Sequence, residues 1–598
     1  MEKFDCVVVG AGLYGLAAAK QFRALNQQSS LAIFEGESSI GGTWAQHRIY
    51  PGLKSNNLLG TYEYPDFPMT AEKFGVKVNE HLPGSKIHAY LQAYADHFGI
   101  SHLIRFNSKV TVAEHMDEDE GGWQLTIRNV RSNQEAHILT RGLIVATGIT
   151  SEAFLPHFDG QETFRGEVFH GKDFPQHKAT LEKGQTVTVF GATKFAWDAV
   201  YAYATAGVNV HWVVRSSGHG PCWMTPPYVT PFKKWMEELA NTRALTWFSP
   251  CVWGHADGYP KIRNFLHGTS PGRLLVELFW KFMEKDVLSL NKYDSHPDTA
   301  KLKPWTKAFF TGPSFSINNY DTSIWNVIKS DLVKVYVGEI DHLSDDKVHL
   351  ADGTELKCDA LLAHTGWKHV SCIKFLPEGI ETEIGLPHAL SQHSADADLG
   401  AREPLLQVAD EEILTRFPKL RKQPVWNANY IPMTQQKGIK SNDEISPYKP
   451  LSSYTLHRFM VPPSERLLRA KDIAFAGVIG NFSNPITAHL QGLWINAYLK
   501  GQLDNDPSAA VGNSEAMAKL HYETVLHNRF GKWRYPTDWG TNKTPGFIFD
   551  AVPYFDLLQQ DLGLSSHRKR GSWTEMWSPY GPRDYMSVNE EWEKKHKE

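Results

Sequence analysis

Three glycines near the start of the chain have the spacing of a dinucleotide-binding turn. Gly10, Gly12 and Gly15 form the pattern G-x-G-x-x-G directly after the apolar run 6–9. Between a strand and a helix, the first glycine permits a tight turn, the second lets a pyrophosphate approach, and the third lets the helix pack on the strand. Glu35 ends the next predicted strand, where a carboxylate accepts hydrogen bonds from a ribose diol and repels a 2′-phosphate.

A second, weaker version of this motif follows the β-rich run 186–190. Its turn, Gly191-Ala192-Thr193-Lys194-Phe195, lacks two of the three glycines, so taken alone it is equally an ordinary βα turn. The next predicted strand ends in Arg215, at the position that Glu35 occupies in the first unit. A guanidinium there favours a 2′-phosphate and predicts NADPH. The candidate residues of this second site are Gly191, Thr193, Lys194, Phe195 and Arg215, with a solvated surface lysine as the alternative for Lys194.

Two dinucleotide units of opposite charge at the ribose position predict one cofactor that stays bound and one that is exchanged. We therefore expect FAD at the first site and NADPH at the second, with the flavin accepting hydride and passing it on. Thr43 and Trp44 follow the glycine pair 41–42 and are expected to pack along the flat flavin ring. A loop anchored by a buried tryptophan is the alternative.

The segment between the two units resembles a family signature. Residues 164–174, from Phe164 through His170 to Phe174, are similar to the F-x-G-x-x-x-H-x-x-x-[F/Y/W] pattern of class B flavoprotein monooxygenases. This family includes flavin-containing monooxygenases, Baeyer-Villiger monooxygenases and N-hydroxylating enzymes. Residues 145–148, 364–367 and 54–57 resemble further motifs of the family, and the resemblance covers about residues 1–500.

The resemblance implies a mechanism and two candidate catalytic residues. It implies that NADPH reduces FAD, that oxygen adds at flavin C4a, and that bound NADP⁺ shields the (hydro)peroxyflavin while one oxygen atom passes to the substrate. Asn56, flanked by Ser55 and Asn57, would hydrogen-bond near the flavin and NADP⁺, where an amide donates and accepts without changing the local charge. His170 would couple the movements of flavin and nicotinamide. A turn role for Asn56 and a structural role for His170 are the alternatives.

The subclass stays open at this point. Phe174 resembles the flavin-containing branch, whereas Pro175 after an aromatic residue resembles the Baeyer-Villiger ending. The sequence shows no secure counterpart of the active-site arginine of a typical Baeyer-Villiger enzyme. Heteroatom oxidation, ester formation from a ketone and epoxidation are all compatible with the motifs. An NADPH-dependent flavin reductase or oxidase without substrate oxygenation and a non-catalytic flavoprotein scaffold are the competing functions.

These motifs require an α/β fold with two interleaved Rossmann-like dinucleotide-binding domains and a helical, aromatic-rich insertion. The predicted parts are 1–155 and 371–500 for the FAD domain, 156–370 for the NADPH domain with an insertion at about 216–312, and 501–598 for a C-terminal extension. The insertion is either the substrate wall or packed structure. A helix predicted after Pro485 makes Gln491 a candidate flavin contact.

Composition excludes several other classes. With 62 Lys+Arg against 66 Asp+Glu the net charge is −4, which argues against a nucleic-acid partner. Five widely spaced cysteines without C-x-x-C predict no disulfide framework, no metal site and no flavin disulfide reductase. No window approaches the about 20 apolar residues of a membrane helix, and the acidic start is unlike a signal peptide. We expect a cytoplasmic enzyme that uses oxygen and a small apolar substrate in specialised metabolism.

Overall fold

The structure is a computed structural model that describes residues 1–116, 121–229, 234–312, 314–368, 370–388, 394–424, 427–431, 433, 436, 439–440, 451–536 and 546–597. Two large sheets organise these residues, and both are built mainly from parallel strands with apolar, buried centres. The predicted α/β class with Rossmann-like sheets is confirmed.

The first sheet is assembled from separate stretches of the chain. At its centre β1 (Glu2–Val9) lies parallel to β2 (Leu31–Phe34) on one side and to Glu135–Val145 on the other. The remaining strands are Ile104–Arg105, Ser108–His115, Trp123–Asn129, Lys374–Leu376 and Ile473–Phe475. The last two come after the second sheet in the chain, so the two sheet domains are interleaved as predicted.

The second sheet consists of five parallel strands. Their spatial order is Glu167–His170, Ala360–Ala363, Thr186–Phe190 (β3), Asn209–Val214 (β4) and Val333–Val337 (β5). The carboxyl ends of parallel strands meet at one edge, which is where open α/β sheets bind ligands. His170, His364, Gly191 and Arg215 all lie at or directly after these ends.

Short strands complete the β structure of the described residues. Antiparallel pairs are Lys54–Leu58 with His81–Pro83, His157–Phe158 with Ile439–Lys440, Tyr228–Val229 with Lys234–Trp235, and the meander Ile340–Ser344, Lys347–Leu350 and Glu355–Lys357. Parallel pairs are Met224–Thr225 with Ser316–Ile317, and Gly480–Asn481 with Gly546–Phe547. The last pair joins the C-terminal extension to the segment that follows the strand Ile473–Phe475.

Four helices position the candidate site: α1 (Leu13–Leu25), α2 (Lys194–Thr205), α3 (Met236–Ala240) and α4 (Asn484–Leu499). The others are Ala71–Phe74, Gly84–His97, Arg243–Thr246, Pro260–Gly268, Ser270–Asn291, Pro297–Ala300, Ile324–Ile328, Ile380–Ile384, Ser394–Arg416, Glu465–Ala470, Ser514–Arg534, Ala551–Asp561, Ser572–Trp577 and Val588–Lys597. Within the described ranges, none of the helices combines the length and the apolar character needed to span a bilayer.

The predicted insertion at about 216–312 is helical, and the C-terminal extension is bound to it. Arg243 of the insertion is fully buried, and its Nη2 donates to Asp556 Oδ1 at 3.0 Å while its Nε donates to Glu575 Oε1 at 2.7 Å. Both carboxylates belong to the extension. The extension is therefore joined to the insertion by buried ion pairs.

Candidate active site

A cavity of about 900 Å³ opens where β1 and β2 end and α1 begins. This volume is in the range of cofactor and small-molecule pockets. Five of the predicted residues line the cavity, namely Gly10, Gly12, Glu35, Thr43 and Trp44.

The three glycines of the motif differ in what a Cβ at each position would meet. A Cβ on Gly10, which has a φ of +105°, would lie 2.5 Å from the carbonyl oxygen of Ala146, and one on Gly15 would lie 1.9 Å from that of Gly10. These two glycines allow backbone to pack on backbone. Gly12 has extended dihedral angles, and a Cβ there would meet protein no closer than 3.7 Å, at Gly42. The space beside Gly12 is therefore cavity space, and it suits a pyrophosphate at the N-terminus of α1.

Glu35 is held in place by the backbone around it. Its Oε2 accepts from the N–H of Ala11 at 2.8 Å and its Oε1 from the N–H of Glu37 at 2.9 Å. Burial raises the pKa of Glu35, which is 8% exposed. Four cations also line the cavity, namely Arg48, Lys109, Arg128 and Lys172. The carboxylate suits a ribose diol, while the cations offset the charge of a pyrophosphate.

Another part of the cavity wall contains Tyr14, Tyr62 and Asn484, which the sequence motifs did not predict, beside the predicted Trp44. Trp44 Nε1 donates to the hydroxyl of Tyr62 at 2.9 Å, and the hydroxyl of Tyr14 donates to Asn484 Oδ1 at 2.9 Å. All four line the cavity, and Asn484 is the first residue of α4. The Asn-Pro pair 484–485 is a helix-start signal that could have located Asn484. With aromatic faces and a second helix N-terminus, this wall fits a flat ring with polar edges, such as an isoalloxazine.

Gln491 is not among the cavity-lining residues of the described chain. It is fully buried, its Oε1 accepts from the N–H of Gly477 at 3.0 Å, and its Nε2 is bonded to the hydroxyl of Tyr554 at 2.9 Å. Gly477 does line the cavity. Both ends of the amide are bonded within the protein, so Gln491 supports the backbone at Gly477, and its predicted contact with the flavin stays a prediction.

The predicted Ser55-Asn56-Asn57 segment forms a strand behind the cavity wall. Ser55 Oγ donates to the carbonyl of Asn57 at 2.7 Å, and Asn57 Nδ2 donates to the carbonyl of Phe482 at 3.3 Å. Phe482 directly follows Asn481, a cavity-lining residue. Asn56 itself is half-buried. Its predicted role at the flavin stays a prediction.

The same segment is clamped by two residues distant in sequence that sequence reasoning did not identify. Asn319 Nδ2 donates to the carbonyl oxygens of Lys54 and Ser55 at 3.1 and 2.9 Å. Glu237, on α3 of the insertion, accepts from Asn57 Nδ2 at 2.7 Å, and it also accepts from Thr61 Oγ1 at 2.8 Å. The insertion therefore orients the strand that contains Asn56.

Glu237 should make the stability of the protein depend on pH. It is 3% exposed, and burial raises its pKa to about 7 from an ordinary 4.5. Neutral Glu237 stabilises the folded protein fully below about pH 4.5, and this stabilisation is lost as the pH rises through about 7. Because of Glu237, the free energy of unfolding of the wild type should fall by about 3 kcal/mol between pH 5 and 8. We expect Glu237→Gln to abolish this fall, as measured by denaturant unfolding at both pH values.

Glu378→Gln is the matched control, because the Glu378 side chain is 85% exposed. An equal pH slope in Glu237→Gln and the wild type would show that Glu237 is ionised in the native protein throughout this range.

His170 ends the edge strand Glu167–His170 of the second sheet, two residues before the cavity-lining Lys172. Its Nδ1 accepts from the N–H of Lys172 at 3.1 Å, so the proton of the neutral ring is on Nε2, and burial lowers its pKa to about 4. The His170 ring lies 4.9 Å from that of His364 and 5.2 Å from that of Trp367. A neutral, packed histidine fits a positioning role better than a charged base. That role stays a prediction.

The second dinucleotide turn places its predicted residues in different surroundings. Gly191 has a φ of +147°, and Thr193 is the N-cap of α2. Lys194 forms an ion pair with Asp198 and donates to Asn319 Oδ1 at 2.9 Å, while Phe195 stacks on His364 at 4.5 Å. Lys194 is thus bonded within the protein and is not a freely solvated lysine, while its predicted phosphate contact stays a prediction.

Arg215 lies directly after β4, as predicted, and is 9% exposed. Its Nη1 donates to the carbonyl of Ile431 at 2.7 Å and to Ser217 Oγ at 3.3 Å. The guanidinium lies 6.0 Å from the Tyr430 ring. The arrangement offers a cation and the Ser217 hydroxyl to an anionic group.

Comparisons with known proteins place these features in context. Residues 3–224 match the family described as flavin-binding monooxygenase-like. The chain is 31% identical to an FAD-dependent monooxygenase of Aspergillus nomiae and 31% identical to the FAD-dependent monooxygenase resA of Aspergillus sclerotiorum, each over 98% of both chains. A closed crystal structure of cyclohexanone monooxygenase shares the fold, with a TM-score of 0.57 and 16% identity over 94% of this chain and 98% of that one.

Proposed function

Because the chain belongs to the family of FAD-dependent monooxygenases, we propose that it uses NADPH and molecular oxygen to insert one oxygen atom into a small, apolar organic molecule. The observation that carries the proposal is the open space beside Gly12, which faces a cavity shared with Glu35 and two helix N-termini. FAD, when bound, supplies the hydride acceptor and the centre that activates oxygen. We place the enzyme in the cytoplasm, which suits its five free cysteines, and in specialised metabolism.

The chain's own residues bind, orient and exclude water. Gly12 and the first N–H groups of α1 would hold the pyrophosphate, and Glu35 the ribose diol. Asn484 and Tyr14 would meet the polar edge of the ring. Asn56 would donate and accept hydrogen bonds where the oxygen reacts, without adding charge. The strand that contains it is kept in place by Asn319 and Glu237.

An apolar substrate is supported by the surroundings of α3. A small cavity of about 20 Å³ is lined by Met236, Trp280, Met283, Val287, Ala308, Thr311, Phe315, Ile548 and Phe549. Phe547 directly precedes Ile548 of this cavity and pairs with Asn481, which lines the larger cavity at the end of β1. Residues of the insertion and the extension therefore form an apolar wall close to the proposed flavin site.

The test measures flavin reduction and product mass separately. We expect NADPH to bleach the yellow holoenzyme without oxygen, and labelled oxygen to appear once in a product from a panel of ketones, amines, sulfides and olefins. Release of all reducing equivalents as hydrogen peroxide across the panel would instead support a reductase or oxidase. Failure of NADPH to bleach the flavin would support a non-catalytic flavoprotein.

A further inference from the structure

A group of hydrogen-bond donors lies where β4 and β5 end side by side. Val214 pairs with Val337 in the parallel sheet, and the N–H of Gly338 donates to the carbonyl of Val214 at 3.0 Å. This register brings the residues after Arg215 next to the residue after Gly338. Ser216 and Ser217 therefore face Glu339 across the sheet edge, at the position where a dinucleotide-binding unit holds the adenosine ribose.

An internal carboxylate occupies these donors. Glu339 Oε1 accepts from Ser216 Oγ and from the N–H of Ser217, both at 2.6 Å. Glu339 Oε2 is buried and has no hydrogen-bond partner among the residues that the structure describes. One oxygen of Glu339 thus sits where an anion binds, and the other is an acceptor shielded from water that lacks a donor.

Arg215 provides the opposing charge. Its Nη1 donates to two neutral groups, Ser217 Oγ and the carbonyl of Ile431. Neither acceptor that the described residues offer to its guanidinium is a carboxylate. Two opposite charges therefore flank Ser216 and Ser217. Arg215 attracts a phosphate, and Glu339 repels it.

We propose that Glu339 is a specificity-determining residue, which competes with the 2′-phosphate of the nicotinamide coenzyme for Ser216 and Ser217. This inference rests on the proposed use of NADPH. A 2′-phosphate needs the donors that Glu339 holds and is repelled by its charge, so Glu339 must move away before the phosphate binds. A 2′-hydroxyl needs an acceptor, and Glu339 Oε2 is one. Arg215 favours NADPH over NADH, and Glu339 thus reduces the ratio of the two affinities.

The test uses fragments that differ only at the 2′ position. Binding of 2′,5′-ADP and of 5′-AMP to the full-length, FAD-loaded protein is measured by calorimetry for the wild type, Glu339→Gln and Arg215→Ala. Glu339→Gln keeps the shape of the side chain and removes its charge. We expect it to strengthen 2′,5′-ADP binding relative to 5′-AMP at least ~10-fold. Arg215→Ala should weaken 2′,5′-ADP about 10- to 100-fold, in the opposite direction.

Glu162→Gln, at a side chain that is 71% exposed, is the control and should leave both affinities unchanged. Steady-state kinetics should show the same shift in KM for NADPH, with kcat little changed. A binding ratio in Glu339→Gln within about twofold of the wild type, or no binding of either fragment, would overturn the inference. If the fragments behave as expected but NADPH fails to bleach the flavin, the proposed oxygenation fails and the competition at Ser216 and Ser217 stands.

Discussion

Replacing Gly12 with valine is expected to give a folded, colourless protein that binds FAD at least ~100-fold more weakly, or by about 2.8 kcal/mol. The backbone of Gly12 has a φ of −82° and a ψ of −175°, which valine adopts without strain. A Cβ at this position lies 3.7 Å from the nearest protein atom, so the added methyl groups enter the cavity and leave the protein packing unchanged. The second glycine of the motif would thus be required by the pyrophosphate.

The measurement is fluorescence titration of the apoprotein with FAD, together with the thermal unfolding midpoint. Gly268→Val is the matched control, because a Cβ on Gly268 meets nothing within 4 Å and Gly268 lies at the end of a surface helix. Full flavin content in Gly12→Val would show that the cavity at β1 does not hold the pyrophosphate. If Gly12→Val does not fold, Gly12→Ala takes its place, and for this variant we expect a smaller loss of FAD affinity and an unchanged unfolding midpoint.

Replacing Arg243 with alanine is expected to destabilise the protein by about 3–5 kcal/mol, because it leaves buried carboxylates without a cation. The side chains of Arg243 and Asp556 are both 0% exposed, and Glu575 is 4% exposed. Nη2 of Arg243 also donates to the hydroxyl of Tyr580 at 3.0 Å. Since all three partners belong to residues 501–598, the substitution should release the extension first.

Two measurements check this prediction. Denaturant unfolding should show the lower midpoint, and limited proteolysis should cleave the extension of Arg243→Ala earlier than that of the wild type. Lys281→Ala removes an exposed helical ion pair with Glu277 and should change stability by less than about 0.5 kcal/mol. A midpoint for Arg243→Ala equal to that of Lys281→Ala would contradict an essential role for this buried network.

The first dinucleotide-binding unit was predictable because neighbouring residues specify it. The apolar run 6–9 ends a strand at Val9, α1 begins at Leu13 after three intervening residues, and Glu35 follows β2. Each feature depends on backbone geometry over a few residues, which glycine spacing and strand composition report directly. The predicted family is likewise confirmed by relatives that match almost the whole chain.

For other predicted residues, the sequence could not specify which groups the side chain contacts. Lys194 was expected at a phosphate or in solvent, yet it pairs with Asp198, one helical turn away, and with Asn319. Gln491 was expected at the flavin, yet it supports the backbone at Gly477. Long polar side chains have several partners within reach, and the choice among them depends on which distant elements pack alongside.

The amino-acid sequence by itself determined the two βα units, their opposite charges at the ribose position and the family of this chain. Only the tertiary structure decided that Glu237 reaches the Asn56 strand and that Glu339 occupies the donors beside Arg215. Glu237 lies 180 residues from Asn57, and Glu339 lies 122 residues from Ser217. Such contacts follow from the pairing of distant strands and the docking of the insertion, which bury these carboxylates against specific donors, and no local pattern encodes that pairing.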